Sequence, residues 1–379
     1  METKVREKRG LAAIFALCPK RHTLLLLSAA LIALHLLTRR NCALMSFLSQ
    51  KAVRPIHRLL GRLNAPVPFS VAELLLAAAV IAALVYIMYQ LVQFFRRAEK
   101  GKRLYRTLVT LISAVCSVYA LFCLLWGVYY YGEDFAAENG FSAEPVSVEQ
   151  LASVTRYFAR GANRYGAMVA RDENGLCASD RAEILQKSPL VFAETEADYP
   201  NLAGPPLAAK GIFFSRVMSY LDFTGFFFPF TAEANVNMDS PVCDLAATVA
   251  HELSHQRGVA KEQEANFTAV LASLRYGDPD YCYSACLLAY THLGNALYRA
   301  DKEAWEEISA ELSEDVARDL SARNAYWRQF ETPVQKASNT VYEGFLHSYD
   351  QTLGLKSYGA CVDLLVNYYC ELSLTQDSA

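Results

Sequence analysis

The stretch AHELSHQRGVAKEQEANF, residues Ala250–Phe267, decides how the back half of this chain is read. It sets His251 and His255 four residues apart, Glu252 beside the first, Gly258 three past the second, and then Glu262, Glu264 and Asn266. The run leading into it, DSPVCDLAATVAHELSHQRG, has Asp239 or Ser240 as a helix cap, Pro241 in the first turn and Gly258 past the end, which predicts one helix. Leu245, Ala246, Ala247, Val249 and Ala250 are small and apolar, so that helix is expected to be buried on most sides. Residues four apart share a helix face about one turn apart, and two imidazoles at that spacing can share one zinc ion. Glu252, on the neighbouring face, is then placed to hold a zinc-bound water and take its proton. The plainer reading is a surface helix with two unrelated histidines. The apolar flank argues against it, because a buried carboxylate and two buried imidazoles are costly without a partner.

A zinc site of this kind needs a third protein ligand and an open fourth position. The HExxHxxGxxH pattern fails: the next ligand position holds Lys261, and all six methionines precede His251, leaving no methionine turn downstream. A glutamate on the following helix is the second route. In EQEAN, Glu262 and Asn266 face the same way, so Glu262 is the expected ligand and Asn266 the hydrogen-bond partner of a zinc histidine. Glu264 is its rival in the same stretch. Glu311, in ELSED, is a more distant alternative on a highly charged helix whose solvated face explains it better.

The chain has 379 residues, 53% of them hydrophobic, and a net charge of −3. Residues 1–131 hold eighteen Lys/Arg against four Asp/Glu, and residues 132–379 hold eighteen against thirty-five. A basic, apolar front joined to an acidic back reads as a membrane anchor followed by a water-soluble domain. The acidic half has no basic block among stacking aromatics, so nucleic acid is not an expected partner. Three apolar segments, about 22–38, 74–95 and 107–131, approach or exceed the roughly 20 residues a spanning helix needs. The first is short and contains His35, so whether it fully spans is open. Basic residues in the N-terminal tail and in RRAEKGKRLYR put both on the cytoplasmic side, and residues 132–379 outside. The loop TRRNCALMSFLSQKAVRPIHRLLGRLN is itself basic. It fits either an amphipathic helix in the membrane surface or a solvated loop.

In the back half, VSVEQLASVTRYFARGANRYGAMVA has helical periodicity. FTAEANVNM, Phe230–Met238, reads as a strand and stands where a substrate-binding edge strand is expected; a structural strand fits as well, and a structural role is favoured for Glu233. GFFFPF is expected to pack in the core. Later helices are expected at about 261–275, 281–299, 302–324, 332–350 and 359–373. Six of the ten cysteines fall here; disulfides are allowed but nothing in the sequence fixes their pairing, and Cys282 and Cys286, one helical turn apart, are read as buried or free thiols rather than as a zinc knuckle. Tyr358 is the leading candidate for stabilising an oxyanion, with His347 and His292 available.

Three N-terminal spans, FTGFFFPFTAEANVN, HELSHQRGVAKEQEANF and a late KSYGACVDLL resemble the bacterial membrane protein family catalogued as domain of unknown function 3810, over residues 40 to 372. That family looks like a gluzincin-type zinc metallopeptidase without an assigned substrate, so the resemblance implies the metal site and the anchor but not what is cut.

The expected fold is therefore mainly α. A membrane anchor (1–131) precedes an extracytoplasmic, mostly helical zincin-like domain (132–379) with a small β element before the HExxH helix. The expected function is a metalloprotease, a multi-pass hydrolase of the bacterial cytoplasmic membrane with its N-terminus inside. One Zn2+ per chain would sit on His251, His255 and Glu262, with Glu252 as general base and no other cofactor bound. Its partners would be peptide or protein substrates at the membrane surface and the lipid around the N-terminal helices. A non-catalytic, zinc-stabilised sensor or scaffold is the alternative; it has no need of Glu252. An intramembrane protease is excluded by the charged residues Asp239, Asp244, Arg257, Lys261 and Glu262 around the HELSH helix.

Overall fold

A computed structural model describes Gly10 and residues 12–96, 98–141, 144, 146–349 and 358–376. The chain is mainly helical and divides into two compact units: Met1–Ser49 with Ala72–Gly132, and Gln50–Val71 with Glu133–Ala379. The principal helices of the front third are α1 (Pro19–Thr38), α2 (Arg54–Asn64), α3 (Val71–Arg96) and α4 (Lys100–Leu125).

Helices α1, α3 and α4 are each long and apolar enough to cross a membrane, with mean hydropathy of 1.5, 2.5 and 2.4. Their leucines and valines, such as Leu84, Val85 and Val115, point outward. A helix that is apolar all round is at home only in an apolar medium or core. The third apolar segment, expected over 107–131, begins earlier and ends sooner. Lys100–Leu125 is α-helical, and Gly127–Tyr131 tightens into a 3-10 turn. There Trp126 and Tyr130 are buried against each other, and Tyr131 meets the His35 ring at 6.0 Å.

After residues 50–71 the second unit continues with a one-turn helix at Phe135–Glu138 and then α5 (Val148–Gly166), which starts at a capping box between Ser147 and Gln150. A three-stranded sheet follows, with β1 (Lys210–Ile212), β2 (Gly225–Phe228) and β3 (Glu233–Asn237) in the order β1-β3-β2. β1 runs parallel to β3, and β2 runs antiparallel to it. The expected substrate-binding strand within Phe230–Met238 is therefore the central one. β3 is buried throughout and bonded on both sides, so β1 and β2 are the outer strands. The GFFFPF run, expected to pack in the core, supplies β2, and that strand is only half-buried. Glu233 is structural, pairing with Lys210 Nζ at 2.6 Å and accepting from the Val71 N–H at 3.1 Å.

The rest is helical: α6 (Val242–Gln256), α7 (Glu262–Tyr276), α8 (Pro279–Ala300), α9 (Lys302–Ala310), α10 (Glu314–Arg328), α11 (Pro333–Ser348) and α12 (Tyr358–Gln376). The helix expected over 302–324 is two helices, because the Ser313 side chain caps a new start by accepting from Val316 N–H. The expected cap of α6 differs too. Asp239 is drawn away by Arg216 and Tyr326, Ser240 donates to the Asn237 carbonyl, and α6 begins after Pro241 with no side-chain cap. The core gathers α6, α7 and α8 around Leu253, Phe267, Val270 and Leu287. All ten cysteines are free thiols.

Candidate metal centre

α6 ends at Gln256, and Gly258 takes a φ of +93°, a left-handed value that glycine adopts without strain. The chain turns there straight into α7, so the short QRGVAK connection closes. His251, His255 and Glu262 each offer a ligand atom, and these atoms lie within 4.8 Å of one another. His251 Nε2 is 3.2 Å from Glu262 Oε2, His255 Nε2 is 3.7 Å from Glu262 Oε1, and the two Nε2 atoms are 3.1 Å apart.

The other ring nitrogens are engaged elsewhere. His251 Nδ1 lies 2.8 Å from Asn266 Oδ1, and His255 Nδ1 lies 2.7 Å from the Val259 carbonyl. Both partners are acceptors, so each Nδ1 carries the hydrogen, and each Nε2 lone pair faces the other and the Glu262 carboxylate. Lone pairs converging this closely repel unless a cation or proton lies among them. Burial pulls the His255 pKa down, but the Glu262 carboxylate outweighs it and carries His255 up to about 9. Glu262, despite burial that opposes its charge, is held well below the usual carboxylate range by His255 and His251.

Glu252 is buried, and among the described residues no donor reaches its Oε2. Burial raises its pKa to about 7, with the two histidines pulling the other way. It lies against β2. A Cβ on Gly225 would stand 2.6 Å from Glu252 Oε1 and 2.9 Å from the Asn235 carbonyl, so only glycine lets the outer strand pass this close.

The other expected site residues are not in the cluster. Glu264 turns away: its carboxylate accepts from the backbone N–H groups of Phe135 and Ala136 at 3.1 and 2.9 Å. Glu311 pairs with Arg156 at 2.7 Å. His347 is exposed beside Glu343. His292 is buried on α8, where burial lowers it to about 4, with His251 adding to the fall. Tyr358 opens α12, but its side chain lies outside the described residues. The hydroxyl that does reach the cluster is Tyr342 on α11, which donates to Glu262 Oε1 at 2.8 Å. Nothing in its sequence spacing marks it among twenty-two tyrosines; the sequence offered only a helix expected at about 332–350.

The fold and the cluster together define a mainly helical chain with membrane-type N-terminal helices and a cluster of two histidines and one glutamate that could hold a metal ion. Residues 49–366 match the family model described as "Protein of unknown function (DUF3810)", and the chain belongs to that family. No curated protein and no solved structure matches the chain.

Proposed function

We propose that the second unit is a zinc-dependent metallopeptidase of the gluzincin kind. It would hydrolyse peptide or protein substrates at the surface of a bacterial cytoplasmic membrane. The observation that carries this reading is the convergence of His251 Nε2, His255 Nε2 and the Glu262 carboxylate, with both Nδ1 atoms occupied elsewhere. Two imidazoles and one carboxylate suit zinc and leave a fourth position open. When bound, zinc lowers the pKa of a coordinated water to about 7 and polarises a substrate carbonyl.

The chain's own residues do the rest. Asn266 and the Val259 carbonyl fix the two rings in the tautomer that ligates. Glu252 takes the proton of the attacking water and delivers it to the leaving amine as the C–N bond breaks; a pKa near 7 suits both steps. Tyr342 orients Glu262 and supplies a hydroxyl donor beside the reacting centre. β2, the outer strand beside Glu252, is the edge on which an extended peptide would lie. We place α1, α3 and α4 across the membrane, with the N-terminus inside and the second unit outside, from the basic residues of the N-terminal tail and of 96–106.

Because residues 50–71 belong to the second unit, the test uses the full chain purified in detergent. Stoichiometric zinc is expected in the wild type, Glu264→Gln and Glu311→Gln, and is expected to be lost in Glu262→Gln. A folded wild-type chain that binds no zinc ends the peptidase reading. The scaffold alternative predicts zinc but no cleavage of any denatured protein or peptide library by the wild type. The orphaned oxygen of Glu252 favours the enzyme, since a scaffold gains nothing from a buried, unsatisfied carboxylate.

A further inference from the structure

Helix α2 presents two different faces. Its inner face belongs to the fold of the second unit. The Arg54 guanidinium donates to the carbonyls of Arg257, at the end of α6, and Ala203, at 3.3 and 3.5 Å. Arg58 donates to Ala203 O at 2.6 Å, and Asn64 donates to Thr231 O at 2.9 Å. The His57 ring is buried edge-on against Phe227 of β2, 5.4 Å between centroids. Just beyond the helix, Ser70 donates to Asn235 Oδ1 of β3 at 2.7 Å.

The outer face is apolar and uncovered: Ile56 is 43% exposed, Leu59 59%, Leu63 65% and, past the helix, Phe69 54%. Lys51 and Arg62 stand exposed on the same stretch, and no acidic residue occurs between Glu7 and Glu73. The next helix, α3, begins at Val71 and is the most apolar of the three membrane-type helices.

We propose that α2 lies in the bilayer surface, with Ile56, Leu59, Leu63 and Phe69 in the acyl boundary and Lys51 and Arg62 serving anionic headgroups. It thereby holds the metal helix and β2 at the membrane. This rests on the membrane reading above. Three arguments select lipid as the occupant. The exposed face is apolar while its flanks are wholly basic, the pattern of an interfacial helix. The chain enters α3 directly after Ser70, so only a short connection separates this face from a membrane-type helix in sequence. Finally, residues 50–71 and 133–379 form one compact unit, while α3 and α4 lie between them in sequence. Two crossings return the chain to the side it left, so the loop holding α2 and the metal-bearing helices share one side of the membrane, whichever way the N-terminus points.

The test places the photocrosslinking residue p-benzoylphenylalanine singly at Leu59, Leu63, Val85 and Met168 of the full chain, in vesicles of phosphatidylcholine and phosphatidylglycerol. Val85, on α3, is the membrane control, and Met168, exposed in the second unit, is the aqueous one. Phospholipid adducts at Leu59 and Leu63 as abundant as at Val85, with none at Met168, are expected. Adducts at Val85 but none at Leu59 and Leu63, or chain-to-chain crosslinks there instead, overturn the proposal. No adduct at Val85 overturns the membrane reading itself. None of these outcomes depends on whether the metal site is catalytic.

Discussion

In the second unit Asp319 and Glu262 are both carboxylates set among other ionisable side chains, yet their surroundings follow opposite rules. Around Asp319 every acceptor has a donor: the Cys177 N–H reaches Oδ1 at 2.8 Å, and Oδ2 takes the Tyr283 hydroxyl at 2.5 Å and Arg171 at 3.1 Å. Arg171 also donates to the carbonyls of Gly166 and Gly175. Around Glu262 acceptors face acceptors: two imidazole Nε2 atoms and a carboxylate meet, the Tyr342 hydroxyl donates to Oε1 alone, and one oxygen of Glu252 has no donor among the described residues. The first cluster is finished without help, which is what a structural network requires. The second is short of positive charge, and a proton on His255 is the least that can fill it. A surplus of lone pairs, not burial or perturbed titration as such, separates a site from a support.

This contrast can be broken in several places. The largest effect is expected for Glu252→Gln, which keeps zinc and fold but lowers kcat by roughly 10²–10⁴-fold, the usual contribution of a general acid–base group; unchanged turnover removes Glu252 from the mechanism. Stripping zinc with a chelator should cost about 4 kcal/mol of stability if the metal is held near a thousand times its dissociation constant, seen as a fall in Tm that zinc alone restores. Asp319→Ala should cost about 3 kcal/mol in denaturant unfolding, because it strands Arg171 and Tyr283, and should leave zinc affinity alone. Were it to abolish zinc binding, the two clusters would not be separate. Asn266→Ala, which frees the His251 ring, should weaken zinc about 10- to 100-fold in a competition titration. The smallest effect is on pH. His255 must lose its Nε2 proton to ligate, and its metal-free pKa is raised to about 9. Zinc affinity should therefore rise with pH by up to about tenfold per unit below that value and flatten above it, with proton release on binding visible by calorimetry in buffers of different ionisation enthalpy.

Much of the site was legible because helices repeat. Spacing alone put His251 and His255 on one face and set Glu262 in line with Asn266, two residues from a chemically identical rival. What separates Glu262 from Glu264 is the helical turn of about 200° between them, which sends Glu264 to cap a short helix at Phe135. Local competition was less legible. Asp239 and Ser240 look like caps in sequence, but Arg216 and Tyr326 outbid the helix start for Asp239. Least legible were contacts between distant segments. The approach of Tyr342 to Glu262 joins residues 80 apart, and the capture of residues 50–71 by the second unit joins parts of the chain separated by two apolar helices. Neither leaves a periodic trace.

The placement of α2 also sets the order in which the molecule can be built. Arg54 contacts the end of α6 across 203 residues of sequence. On the three-span reading α2 leaves the ribosome early and cannot take its place until the hairpin of α3 and α4 has entered the bilayer and α6 has been made. Long-range closures of this kind are slow, and here the closure waits on membrane insertion as well. A second unit whose hairpin fails to insert would lack α2 beneath β2 and beside the end of α6. On that reading, completion of the second unit is tied to insertion of the hairpin.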